Sequence, residues 1–295
     1  RIRVEGLSAP VTIFRDEQGI PHAEARGRED AFFALGFVQG QDRLGQMYWL
    51  ARLARGRTAE IVGASGLPAD RLARALNLGG GAEADFGRLS AAARAALEAY
   101  AKGVNAAIAE LQSGRRAPPL AVRRLGMPLE PWRPSDSLAV LKFYAWGLSS
   151  SLDASLVLWD VQERLGGIEA RPFFPPGGPQ DGKTPPAGRG RMTAGIWRDP
   201  LRHAIGLEGS SVGSTAWVVG GAHTESGRPI LVADSHLPPT VPALFYLAHV
   251  RGGDLDLAGA MVPGVPVVWT GHNRNVTWAS TAARAAVIDL YEETL

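Results

Sequence analysis

The spacing of apolar residues changes partway along the chain, and that change restricts the fold more than any other feature. Before about residue 165 apolar side chains recur every three or four residues, the period of a helix with a buried face. After Ser214 they alternate or gather in short runs, the pattern of strands. Between these regions, residues 173–190 hold five prolines and five glycines. Neither a packed helix nor a central strand tolerates that composition, so the stretch reads as a loop or linker. The expectation is an α+β chain with a helical first half and a sheet-forming second part.

Phe32, Leu35, Val38, Leu44, Met47, Leu50 and Leu53 predict a helix over about 29–55, although Gly36 and Gly40 weaken that reading. Leu97, Tyr100, Val104, Ile108 and Leu111 predict another over 90–112, with Ser90 as its N-cap. A third helix begins near Ser135 after Pro134, and a fourth runs over 153–165. Short strands are expected at 2–5 and 11–14. Beyond Ser214 they are expected at 216–219, 229–232, 255–261, 265–269, 276–280 and 286–290.

Several function classes drop out on composition. The 31 basic residues are scattered and the net charge is only +2, so no basic stripe points to nucleic acid. The absence of cysteine excludes disulfides, thiolate catalysis and zinc sites built on Cys. No apolar run reaches the roughly 18 to 20 residues that span a bilayer. The chain opens on Arg1 without a signal peptide, so its start reads as trimmed.

Two serines compete as nucleophile. Residues 209–213 fit the G-x-S-x-G elbow around Ser211, with Asp234 and His236 downstream. An elbow needs a strand before its serine and a helix after it, whereas a strand-like run follows here. Asp234 and His236 are also too close together for the separate Asp and His loops of that fold. Ser214 follows Gly213 and opens this run. If the bond before Ser214 is cut, its own α-amine can act as base, with an ordinary pKa of about 7.7 to 8.0. A glycine before it leaves the preceding carbonyl open to the hydroxyl.

The wider sequence is similar to the penicillin acylase family of N-terminal nucleophile hydrolases, which includes cephalosporin and acyl-homoserine-lactone acylases. The resemblance rests on landmarks in order: Arg15-Asp16 through Gly19-Ile20-Pro21-His22; Gly40-Gln41-Asp42-Arg43-Leu44 with Gln46-Met47; and the arginine-rich turn to Gly56 with Glu60 and Gly63. It continues with Tyr100, Gly103-Val104-Asn105-Ala106, Glu130-Pro131-Trp132 and Pro134-Ser135-Asp136. The densest blocks are 213–219, 227–237, Gly271-His272-Asn273 and 277–281.

The resemblance implies an αββα fold and self-cleavage between Gly213 and Ser214. Residues 1–213 would form an α-chain with any spacer, and 214–295 the first part of a catalytic β-chain interlocked with it. Ser214 would then attack a linear amide of an N-acyl compound, such as a β-lactam side chain or an acyl-homoserine lactone. His236 would stand near the nucleophile's amine, and the backbone N–H of Ala282 would form part of the oxyanion hole. Leu237, Trp269, Thr270 and Ser280 fall on positions that line the acyl pocket, with ordinary core packing the competing reading for Leu237 and Trp269. Arg15-Asp16 and His272-Asn273 read as structural hydrogen-bonders. No cofactor is implied for the chemistry. The structural calcium of some relatives would call on Asp289 and Asp153 here, while Ala286 stands where another carboxylate is expected. Thr215 replaces the asparagine common after the nucleophile. The resemblance further implies a periplasmic or secreted location, and a catalytic chain that runs past Leu295 to the asparagine completing the oxyanion hole. A non-catalytic protein of this fold that binds small amides or a partner is the alternative.

Overall fold

The computed structural model describes residues 2–149, 161, 164–165, 200–205 and 213–281. Its centre is helix α1 (Arg28–Arg55), which is buried along most of its surface, with Arg28 and Glu29 exposed at its start and residues such as Asp42, Arg43, Gln46 and Trp49 partly so. Such a helix belongs in the middle of a core. Glu29 and Asp30 occupy its first turn, Arg52 and Arg55 its last, and Gly56 closes it in the left-handed conformation at φ 63°. Short helices follow: α2 (Ala59–Val62), α3 (Leu67–Ala75) and α4 (Leu78–Arg88). Then come α5 (Ala91–Gln112), α6 (Leu120–Arg124), α7 (Pro134–Leu148) and α8 (Pro200–His203). The Ser90 side chain caps α5 by accepting from the amide of Ala93.

The close approach of α1 and α5 has a specific cause. A Cβ on Gly36 would lie 2.1 Å from the carbonyl oxygen of Tyr100, and one on Gly103 would lie 1.9 Å from that of Phe33. The glycines that weaken the helix signal in sequence are therefore the residues that let the two backbones touch. Gln39 sits fully buried at this junction, its Oε1 accepting from the Tyr100 hydroxyl and from the amide of Gly264.

The larger sheet orders its strands β1-β2-β5-β6-β7-β8. They are β1 (Thr12–Arg15), β2 (Pro21–Glu24), β5 (Tyr246–Gly252), β6 (Leu255–Met261), β7 (Val268–His272) and β8 (Thr277–Trp278). Every neighbouring pair is antiparallel except β2 and β5, which run parallel with His22 opposite His249. One sheet thus combines strands from both sides of residue 214, and β5 packs on α1. A chain of side chains crosses the parallel joint. Asp16 meets His22 Nε2 at 3.3 Å, His22 Nδ1 meets His249 Nδ1 at 3.1 Å, and His249 Nε2 meets Asp256 at 2.8 Å. The second oxygen of Asp256 accepts from Arg274 Nε at 2.8 Å. These bonds, first from Arg274 and then from His249, hold the Asp256 carboxyl down at about 2 against the opposing effect of burial.

Some expected elements differ. Residues 2–5 form no strand. Val4 and Leu7 pack on Phe33 and Phe37 instead, and the Asp30 carboxylate takes the amides of Ser8 and Ala9 and the Ser8 hydroxyl. That segment is committed to the start of α1 and has no ladder partner. The apolar pattern predicts no strand over β5. Its inward positions are Tyr246, Ala248, Val250 and Gly252, two of them too small to give an apolar signal. The loop or linker at 173–190 and the strand expected at 286–290 lie outside the described residues, as does most of the fourth helix. Among the described residues no helix is long and apolar enough to cross a membrane.

Candidate active site

A separate two-stranded ribbon, β3 (Gly213–Val219) and β4 (Ile230–His236), carries the candidate nucleophile. The Thr215–Val219 run is apolar and β-branched enough to form a strand, and a turn through Gly227 at φ 67° returns the chain along it. A strand, not a helix, follows residue 213, which removes the structural context the Ser211 elbow requires. Ser211 itself lies outside the described residues.

The antiparallel register pairs Gly213 with His236, Ser214 with Ser235 and Thr215 with Asp234. Directly opposed residues share a face of a ribbon, and successive residues alternate. His236 therefore stands on the face of Gly213 and Thr215, opposite to the face of the Ser214 side chain. The spacing agrees, since a Cβ on Gly213 would lie 3.6 Å from His236 Cδ2. Asp234 shares that face and approaches His236 Nδ1 at 3.4 Å. The imidazole accordingly flanks the Gly213 side of the Gly213–Ser214 bond.

The Ser214 hydroxyl meets the hydroxyl of Thr281 at 2.8 Å, and Thr281 also donates to the Ser214 carbonyl oxygen at 3.1 Å. The adjacent Ser280 donates its hydroxyl to the Trp269 carbonyl at 3.1 Å. Consecutive residues thus tie the backbone of β7 to the start of β3. Thr270 pairs with Ala260 in the sheet, and Leu237 follows His236 half-buried at the end of β4. Trp269 is also half-buried against the main hydrophobic core. The competing core reading therefore describes part of its surface. Ala282, Asp289, Asp153 and Ala286 lie outside the described residues. Among the described residues no group of three or more His, Cys, Asp or Glu could hold a metal.

The remaining landmarks make structural contacts. Arg15 pairs with Asp42, which also accepts from the Tyr246 hydroxyl at 2.6 Å. Burial first, and then Asp42, raise the Tyr246 phenol well above its ordinary range. Asp16 and Asn273 each accept two nearby backbone amides. Asn105 clamps Trp132 by bonding both its N–H and its C=O. Arg52 and Arg55 at the end of α1 and Arg57 just past it interlock with Glu60, Glu83, Glu130 and Asp136; the three arginines, Glu130 and Asp136 line a cavity of about 290 Å³. In that group three arginines face four carboxylates, joined on the same wall by Arg133, so the charges balance. Thr281 was missed as a site residue. It belongs to the 277–281 landmark, but no spacing rule links it to a serine so far away in sequence.

The family model described as penicillin amidase matches residues 10–295. The penicillin acylase 2 proenzyme of Pseudomonas sp. strain SE83 is 37% identical over 99% of this chain and 38% of its own length. The acyl-homoserine lactone acylase QuiP of Pseudomonas aeruginosa is 30% identical over 99% of this chain and 35% of its own. A solved structure of thermostable penicillin G acylase from Alcaligenes faecalis matches 56% of this chain and 88% of its own, at 22% identity and a TM-score of 0.48. This chain spans well under half the length of the curated relatives it matches. With matching landmarks from the first strand to the ribbon and a family match over nearly all of its length, the chain belongs to the penicillin amidase family.

Proposed function

We propose that this chain is the nucleophile-bearing part of an amide-hydrolysing acylase that matures by cutting itself between Gly213 and Ser214. In maturation Ser214 Oγ adds to the Gly213 carbonyl carbon, and the bond to the Ser214 nitrogen breaks as that nitrogen takes the hydroxyl proton. Water then hydrolyses the ester and leaves Ser214 with a free α-amine. In turnover the same oxygen attacks a linear amide while the amine carries its proton to the leaving nitrogen. The acyl-enzyme is hydrolysed to free acid.

One observation carries this reading. Ser214 is the second residue of strand β3, with its side chain on the face opposite His236 and hydrogen-bonded to Thr281, an arrangement that suits an amine base better than a Ser-His pair. His236 flanks the processing bond, where it can orient the new amine. The Ala282 N–H would supply an oxyanion donor, worth roughly 2.7 to 4 kcal/mol of transition-state stabilisation. Leu237, Trp269, Thr270 and Ser280 would contact the acyl group, and none of them carries a positive charge. Among N-acyl substrates this favours uncharged acyl groups, with acyl-homoserine lactones and β-lactam amides both inside the class. A calcium ion, where bound, would be held through Asp289 and Asp153 rather than taking part in the chemistry. The mature enzyme would be an α-chain and β-chain heterodimer, exported to the periplasm or secreted.

The sheet supports such a heterodimer, because cutting at residue 214 leaves β2 laddered to β5 and β5 packed on α1. The test is amino-terminal sequencing of the mature protein together with Ser214→Ala. A new amino terminus at Ser214, and loss of both cleavage and amide hydrolysis in the variant, is the expected result. Cleavage of Ser214→Ala at the parental rate would sink the assignment. Ser211→Ala should mature and turn over normally.

A further inference from the structure

The hydroxyl of Thr281 has one proton and two oxygen neighbours on the same residue, the side chain and the carbonyl of Ser214. A carbonyl oxygen can only accept, so in the resting arrangement the Thr281 proton points to it. The 2.8 Å bond between the two hydroxyls must then be donated by Ser214. This closes a small ring through Ser214 Oγ, Thr281 Oγ1 and Ser214 O, and the ring fixes the serine rotamer.

From this ring we infer that Thr281 is the positioning residue of the nucleophile. The inference rests on the assignment of Ser214 as that nucleophile. Before attack the ring holds Oγ in one place with its remaining lone pairs turned away from Thr281. As attack begins the Ser214 hydroxyl turns its proton from Thr281 to the nitrogen of its own residue, the breaking amide nitrogen in self-cleavage and the α-amine in turnover. Oγ then becomes the stronger acceptor, and the Thr281 O–H swings from the carbonyl onto it. Oγ is therefore held both before and after it loses its proton. Threonine exchanges no proton with the substrate and forms no bond to it. The same ring acts in self-cleavage and in turnover, because one oxygen attacks in both.

Ser280 gives the device an anchor. Its bond to the Trp269 carbonyl pins the residue next to Thr281 to strand β7, so the hydroxyl is presented from the large sheet to the ribbon. Thr281 is exposed on its outer side, and its hydroxyl rather than its methyl group makes the contacts to Ser214.

The test compares Thr281→Val, Thr281→Ser and Ser214→Ala in the protein as encoded. The readouts are the rate at which a Ser214 amino terminus appears, Tm, and kcat and KM on p-nitroanilides of aliphatic and aromatic carboxylic acids. Valine keeps the branched shape and deletes the hydroxyl. It should lower kcat by about 5- to 100-fold, the effect of two neutral hydrogen bonds, with KM within about twofold and Tm unchanged. Self-cleavage should slow by a similar factor, and Thr281→Ser should restore both rates to within about threefold of the parent. If Thr281→Val never matures, an uncleaved chain with parental Tm supports the inference, and one with a lowered Tm overturns it in favour of a purely structural role. Parental kcat and cleavage in Thr281→Val overturn it, as does a Thr281→Ser variant as impaired as the valine. An inert Ser214→Ala beside a normal Thr281→Val defeats this inference alone. An active Ser214→Ala defeats the proposed function as well.

Discussion

Replacing Gly103 with alanine tests whether the glycines of α1 and α5 are there to bring the helices together. In a helix, glycine to alanine ordinarily gains about 1 kcal/mol from propensity. At Gly103 the new Cβ would lie 1.9 Å from the Phe33 carbonyl oxygen, 2.8 Å from its carbon and 2.9 Å from the Phe37 nitrogen. An ordinary contact needs about 3.5 Å, so α5 must withdraw by about 1.5 Å or distort. Because the obstacle is backbone, no rotamer change relieves it. Overpacking costs typically about 1 to 3 kcal/mol and more where the surroundings cannot give. With the obstacle rigid, we expect a net loss of about 2 kcal/mol after the propensity gain, which lowers Tm by about 4 °C or more in a chain of this size. Gly87 in α4 is the matched control, since it is exposed and an added Cβ meets nothing within 4 Å. Gly87→Ala should hold or raise Tm, as followed by circular dichroism. Truncating Phe33 should not rescue Gly103→Ala, because the clash is with its carbonyl. A Gly103→Ala protein as stable as the Gly87→Ala protein would refute the close-approach argument.

Three further outcomes follow from the geometry. Asn105→Ala leaves the Trp132 N–H and C=O without their partner, and should cost about 2 kcal/mol in urea denaturation with the slope unchanged. The Asp256 carboxyl is held at about 2 in the folded chain, below the ordinary value of about 3.9, so its contribution is present above pH 4 and disappears as pH falls toward 2. Asp256→Asn should therefore flatten the fall in Tm between pH 4 and 2, and an unchanged slope would count against the ionic joint between β5, β6 and the β7–β8 turn. On substrate, kcat/KM should be higher for neutral acyl amides than for matched glutaryl amides, since no Arg or Lys stands among the assigned pocket positions; the reverse order would reject that pocket.

The helices were legible because their signal is local. The apolar period of α1 and α5, the Ser90 cap and Pro134 at the start of α7 all act within a turn or two of the residue concerned. The glycines within α1 misled in the same local way. Their cost to a lone helix is visible in sequence, but the gain from contact with α5 depends on a helix far along the chain. Strand β5 was hidden for a related reason. Its inward Ala248 and Gly252 are small because α1 packs there, and a Cβ on Gly252 would meet Gly27 and Ala31.

The candidate site divides along the same line. Ser214 was legible only through the resemblance, because a glycine before a serine and a strand after it describe an ordinary turn as well, whereas the ordered landmarks along the chain pick out this serine. The partner hydroxyl of Thr281 was not, because it reaches Ser214 only through the folding of β7 and β8 beside the ribbon. His236 shows the intermediate case. Its place in the β4 motif was visible, but its face was not, since a hairpin's register depends on its turn and a shift of one residue would move the imidazole to the Ser214 side. The observed register puts Gly213, the residue without a side chain, directly opposite the imidazole. A Cβ at 213 would rest in ordinary contact with the imidazole at 3.6 Å, so the register sets His236 beside the bond to be cut, while glycine leaves that carbonyl approachable. The placement of His236 thus follows from the register, and the glycine at 213 from the approach the hydroxyl needs to its carbonyl.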